Sequence, residues 1–325
     1  MIRKSWIVFL FALILSIESI IIEYLTRLLG ISPLSISAFS IAISGTLLLL
    51  ISTLVTKKQF SILYSWKKFI PASIFLSIGI FTWYDAVSRV GASKESLLAG
   101  PIEIIAILFL ARLFLHERLN KIQFAGVGIA LAGFVVVLLS DNSVVDTNIV
   151  SPIFSVNYPL LQFTVEFGDI EAVISAISFA LAVFFLTKLS SRYSPIEISG
   201  MCLVMSGSIL VTVMILLSPD LSFQLLLSYW YIFLIFSLLP LIGTICYVEG
   251  LKRIGASLTS TIASSRILLT LIIQLILTRL AIQNTLPDDI ILALFGGILG
   301  LCGIIIIHMH LYIKKQITKN NFKVK

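Results

Sequence analysis

Apolar runs of about 20 residues recur along this chain, and a run of that length has one natural setting, a helix crossing a bilayer. Ten can be read, at approximately 6–28, 34–56, 69–88, 95–115, 122–140, 170–190, 196–217, 228–248, 257–279 and 289–312. Backbone polar groups in hydrocarbon must be satisfied inside their own segment, so the expected fold is all-α and integral to the membrane. Pro33, Pro195, Gly91, Gly255 and Pro287 fall at the junctions, where helix breakers belong. Composition leaves little room for a soluble protein. Charged residues make up 12% of the chain, against about 25% in soluble domains, and the mean hydropathy is +1.09. Trp6 to Leu29 has a basic start but no small-residue cleavage site. It is expected to stay as a span rather than to be removed as a signal peptide.

The net charge of +7 would suggest nucleic acid in a soluble protein. Here its distribution follows the positive-inside rule, and no nucleic-acid partner is expected. Arg3, Lys4, Lys57, Lys58, Lys67, Lys68, Arg118, Lys121, Lys188, Arg192, Lys252, Arg253 and the five lysines after Tyr312 fall on one side, 17 in all. The other side holds 4, namely Arg27, Arg89, Lys94 and Arg279. The expectation is a multi-pass protein of the plasma membrane with both termini in the cytoplasm.

The stretch Trp83 to Leu119 is repeated at Tyr247 to Leu286. Gly91-Ala92-Ser93 matches Gly255-Ala256-Ser257, Asp85 matches Glu249, Arg89 matches Arg253 and Ala99 matches Ala263. Pro33 and Pro195 head the second and seventh spans, and Ser44-Gly45 matches Ser206-Gly207. Five spans per copy is an odd number, so the second copy inserts upside down relative to the first. The organisation read from this is a first five-helix repeat over 1–140, an extracytoplasmic linker loop over 141–169, and a second repeat with a basic tail over 170–325. Inverted repeats of this kind are a transporter architecture, with a midplane site between the copies that is exposed alternately to each side.

Charges within spans are costly and need a reason. Glu23 with Arg27, Asp85 with Arg89, and Glu249 with Arg253 each stand four apart with the acid first, the favourable helical pairing. Glu23–Arg27 reads as an interfacial pair. The other two read as structural helix-end pairs or as gates at the two mouths. Glu18 lies near mid-depth with no base three or four positions away. It is either a carboxyl bonded to a serine or a backbone carbonyl, or a proton-coupling or substrate-amine site. Glu103 follows Pro101 in the fourth span, and Arg266 lies one position out of register with it in the ninth. At 1.5 Å per residue the two lie about 10 Å and about 14 Å from opposite edges, so their depths nearly coincide. The sharp expectation is that Glu103 and Arg266 face each other across the substrate cavity, and the bland one is a permanent salt bridge.

The remaining features have structural readings. Arg112 anchors a helix end by snorkelling, and Glu197 is a helix-start carboxylate. Trp83 is assigned to the interfacial aromatic belt and Tyr84 to the outer mouth of the pathway, while Tyr247 could line the inner mouth. Gly126, Ala130 and Gly133 match Gly296, Gly300 and Gly303. These small-residue faces permit close contact with a neighbouring helix or with a second copy, which leaves a homodimer open. Cys202, Cys246 and Cys302 are scattered within apolar runs and read as small hydrophobes. His308-x-His310 lacks the spacing of a helical metal pair, and no metal is expected. The chain contains no phosphate-binding glycine loop and no nucleophilic triad, so no cofactor, ATP drive or enzymatic activity is expected.

The layout resembles the drug/metabolite transporter superfamily, EamA type. The resemblance rests on Tyr84 before a small-residue turn, Ala92-Ser93, Pro101, and the exit Leu115-His116-Glu117-Arg118-Leu119. It departs in the second copy, where Ser265 replaces the proline and Gln283 stands near the place of Glu117. The resemblance implies movement of small polar metabolites such as amino acids, with proton coupling. The expectation is a secondary active transporter, an exporter, working by alternating access. The rivals are an integral-membrane enzyme acting on lipid or prenyl substrates and a non-transporting scaffold. The short basic loops count against the first, and the mid-depth charges Glu18, Glu103 and Arg266 against the second.

Overall fold

The computed structural model describes residues 2–56, 65–115, 121–140, 154–158, 161–217, 219–280 and 289–323. The first half contains α1 (Ile2–Arg27), α2 (Pro33–Thr56), α3 (Ile70–Val90), α4 (Ala92–Leu115) and α5 (Lys121–Leu139). The second half contains α6 (Phe167–Ser190), α7 (Pro195–Leu217), α8 (Pro219–Phe236), α9 (Leu238–Ile254), α10 (Ala256–Ala263), α11 (Arg266–Arg279) and α12 (Ile290–Lys323). Between the halves, β1 (Phe154–Tyr158) and β2 (Leu161–Val165) pair antiparallel. The linker read as a plain loop therefore carries a hairpin. Seven helical stretches are long and apolar enough to cross a membrane, and α8 and α9 count together as one of them. The α4 helix and the apolar pieces Phe124–Leu139 and Ile290–Ile306 complete the ten.

Local sequence explains where the helices break. The α3–α4 and α9–α10 junctions turn at Gly91 (φ 87°, ψ 159°) and Gly255 (φ 86°, ψ 164°), a region that side-chain-bearing residues rarely enter. Ser194 starts α7. Its hydroxyl accepts the Glu197 N–H at 3.3 Å, and Glu197 Oε2 accepts the Ser194 N–H at 2.8 Å, a reciprocal cap. Glu197 is thus the helix-start carboxylate its position indicated. The expected ninth span is stepped at Ser264-Ser265. There the N–H groups of Ser265 and Ile267 bond three residues back, to Ile262 and Ser264, instead of four. In the first copy the corresponding place is Pro101, which stays inside a continuous α4.

The contacts obey the pseudo-twofold relation. The α2 helix packs on its counterpart α7, and α5 on its counterpart α12. The contact of α3 with α6 is mirrored by α9 with α1, and that of α4 with α6 by α10 and α11 with α1. The small residues make this possible. A Cβ on Gly133 would meet Gly300 N at 2.5 Å, and one on Gly303 would meet Ala130 N at 2.5 Å. The partner of each glycine face is therefore the other one in the same chain, which closes one of the two readings left open for it. Outward-facing Ile215, Leu216, Trp230, Ile235 and Ile291 are exposed, as a lipid-facing surface requires.

Candidate functional site

A cavity of ≈ 100 Å³ lies between the halves. A single water needs about 10–15 Å³ by the same measure, so there is room for a small solute. Its walls are mostly apolar, with Phe11 and Trp83 from the first half and Phe179 and Tyr247 from the second. The polar groups on it are Glu18, Glu103, Thr244, Ser260, Ser264 and Arg266. Both halves therefore supply charge to one space.

Glu18 and Tyr84 meet directly. Tyr84 donates its hydroxyl to Glu18 Oε1 at 2.7 Å, and both side chains are buried. The bonding partner of Glu18 is thus a tyrosine rather than a serine or backbone carbonyl. The assignment of the neighbouring aromatics is reversed. Trp83 lines the cavity, while Tyr84 is fully buried behind Glu18. Successive helical positions point about 100° apart, and sequence alone does not say which of the two faces inward.

Glu103 and Arg266 line the same cavity, as their depths indicated. Their pairing differs from the expectation. Arg266 Nη2 lies 3.6 Å from Glu95 Oε1, a carboxylate in the first turn of α4, and Arg266 Cζ sits 5.9 Å from the centre of the Trp83 ring. Glu95 is fully buried and off the cavity wall. Among the described residues Glu103 has no cation within 4.0 Å. Sequence reasoning missed Glu95 because it stands at the start of a span, where a charge looks solvated. Its lack of a base four residues away on its own helix was the available signal.

A polar cluster lies at the Gly91 end. Glu23 is fully buried, so it is more than an interfacial partner of Arg27. It lies 3.5 Å from Arg27 Nη1, and its Oε2 accepts the Ala92 N–H at 3.2 Å and the Gln274 amide at 3.0 Å. Ser93 bonds the same glutamine. Arg27 in turn donates to the carbonyls of Ser88 (3.0 Å) and Arg89 (2.7 Å). One turn of α1 thus holds the carbonyls that end α3 and the amide that begins α4, each with the charge that suits it.

Two ion pairs beside this cluster join the halves. Lys94 Nζ lies 3.3 Å from Asp169 Oδ1, with both side chains about 5% exposed. Arg89 reaches its own-helix partner Asp85 at 3.1 Å and also Glu171 of α6 at 3.2 Å. At the Gly255 end, Glu249 and Arg253 pair within α9, and Tyr247 and Ser260 bring their hydroxyls to 3.4 Å. No charged pair joins the halves there among the described residues. Lining residues Leu186 and Ser260 lie four residues from helix ends at Ser190 and Ala256, about 6 Å. At the other end Trp83 lies seven residues from the end of α3 at Val90, about 10 Å. The cavity is therefore displaced toward the Gly255 end.

Cys202 and Cys246 are buried and Cys302 is exposed, all as free thiols. No group of three metal-ligating side chains occurs among the described residues. Glu117 and Arg118 lie outside the described residues, as do the side chains of Arg112, His308 and His310.

A solved structure titled only "Crystal structure of protein" superposes with a TM-score of 0.61 at 17% identity, covering 93% of this chain and 98% of that one. At that identity the match shows a shared fold. No curated protein matches the sequence. The model of the EamA-like transporter family matches residues 4–139 and again 166–309, once for each half. Two matched repeats, ten apolar helices in pseudo-twofold contact and a cavity between them place this multi-pass membrane protein in the EamA-like transporter family.

Proposed function

We propose that the protein is a secondary active transporter that exports small polar metabolites such as amino acids by alternating access. The observation that carries this reading is the cavity between the halves, to which the first half brings Glu18 and Glu103 and the second brings Arg266. Rocking one repeat against the other would expose such a site to each side in turn. In this reading Glu103 holds the solute, Arg266 lines the space beside it, and Glu18, steadied by Tyr84, couples its passage to protons. The ion pairs at the Gly91 end form the closed gate of this conformation. In this reading that end faces outside the cell membrane and both termini lie in the cytoplasm, an orientation that the positive-inside distribution supports.

Purified protein in proteoliposomes, given a panel of amino acids, amines and nucleoside-type solutes with and without a pH gradient, tests the reading. Flux of at least one solute, driven by the gradient and lost in Glu103→Ala and Arg266→Ala, is the expected result. Absence of flux for the whole panel under either condition would remove the transport reading. Flux indifferent to the gradient would remove the coupling role of Glu18.

A further inference from the structure

The cavity holds an imbalance of charge that its pairing geometry makes specific. Two carboxylates, Glu18 and Glu103, lie on the wall, with one guanidinium, Arg266. The guanidinium is matched from behind. Glu95, fully buried and off the wall, stands 3.6 Å from it. A cation so paired offers little net charge to a ligand carboxylate, which would have to displace a buried counter-ion to reach it. Among the described residues Glu103 has no such partner: no cation lies within 4.0 Å of it and no hydrogen bond reaches its oxygens. The same cavity is lined by the aromatic rings of Trp83, Phe11, Phe179 and Tyr247. Their negative faces attract positive groups. Even with a proton on Glu18, Glu95 matches Arg266 and Glu103 is left without a counter-charge, so a positive group of the occupant is favoured beside it.

We infer that the cavity selects a solute bearing an organic amine or ammonium group, held by Glu103 against the aromatic wall, and that Glu95 sets this preference by keeping Arg266 neutralised. The inference rests on the cavity being the substrate site of the proposed transport. It narrows the substrate class from polar metabolites in general to those whose recognised group is cationic. An amino acid would be taken by its ammonium end, and an acid without one would be refused. Glu95 acts through Arg266 and is a positioning residue.

Calorimetric titration of the full chain in detergent with three probes sharing one phenyl-ethyl body tests it: phenethylamine, phenylalanine and 3-phenylpropionate. The amine is expected to bind at least tenfold more tightly than the acid, with the amino acid between them. Glu103→Gln should weaken the amine at least tenfold and erase that order. Glu95→Gln, by releasing Arg266, should strengthen the acid at least tenfold, and Glu95→Asp should restore the original order, a pattern that simple loss of structure does not produce. Failure of the amine to bind, acid binding as tight as amine binding, or an unchanged order in Glu103→Gln would overturn the inference. Should Glu95→Gln not fold, the comparison of wild type with Glu103→Gln decides alone. Amine binding without flux in proteoliposomes would remove the transport reading and keep the charge preference. Flux by a protein that prefers the acid would do the reverse.

Discussion

The turns at Gly91 and Gly255 have nearly the same backbone, with φ 87° and 86° and ψ 159° and 164°, yet their surroundings have almost nothing in common. Around Gly91, Lys94–Asp169, Arg89–Glu171 and the Glu23–Gln274–Ser93 cluster tie one half to the other. At the same repeat offsets around Gly255 stand Leu258 in place of Lys94, and Ile7 and Phe9 in place of Asp169 and Glu171. A duplicated backbone has been given two different closures. One end is held by buried charges that are costly to separate, and at the other no ion pair joins the halves among the described residues. The two ends of the proposed pathway are therefore unequal, and a transport cycle must overcome the Gly91 lock before that end can open.

The largest effect should come from half of that lock. Asp169→Ala removes the carboxylate 3.3 Å from the buried Lys94 ammonium and should lower unfolding stability in detergent by about 3–5 kcal/mol, most of which returns when Lys94→Met is combined with Asp169→Leu. A loss below about 1 kcal/mol would mean that the pair does not hold the halves. A second prediction asks whether the twofold relation is energetic as well as geometric. Gly133→Ala and Gly303→Ala each drive a Cβ into the main chain of the facing helix, so each should cost about 1–3 kcal/mol, and a clear inequality between them would break the symmetry. The smallest effect belongs to the Gly255 end. Arg253 is 44% exposed in its pair with Glu249, so Glu249→Ala should change stability by less than about 1 kcal/mol. A loss there as large as that of Asp169→Ala would erase the distinction between the two ends.

Much of this was legible in the chain itself. The ten apolar runs, the junction glycines and prolines and the two copies follow from composition, spacing and offset. The pairs Glu23–Arg27, Asp85–Arg89 and Glu249–Arg253 are local to single helices, and all three occur. What escaped was contact between helices. Arg266 was matched with Glu103 by depth, and the two do share a cavity, but Glu95 is the carboxylate it meets. Lys94 was counted among the loop charges, Asp169 is the last residue of the linker loop, and Gln274 drew no assignment. In the structure all three are buried and joined to the opposite half.

The division has a physical cause. A helix advances 1.5 Å per residue, so position in sequence gives depth along the helix axis without knowledge of any other helix. It also gives the angle of each side chain around its own axis, but not the direction in which that axis is turned. That direction is decided when Gly133 and Gly303 let α5 and α12 meet backbone to backbone, and when α3 seats on α6. The sequence by itself determined a membrane protein of two repeated halves with charges within its spans. The tertiary packing decided which charges touch, left Glu103 facing the cavity with Arg266 already held by Glu95, and put an ion lock at the Gly91 end.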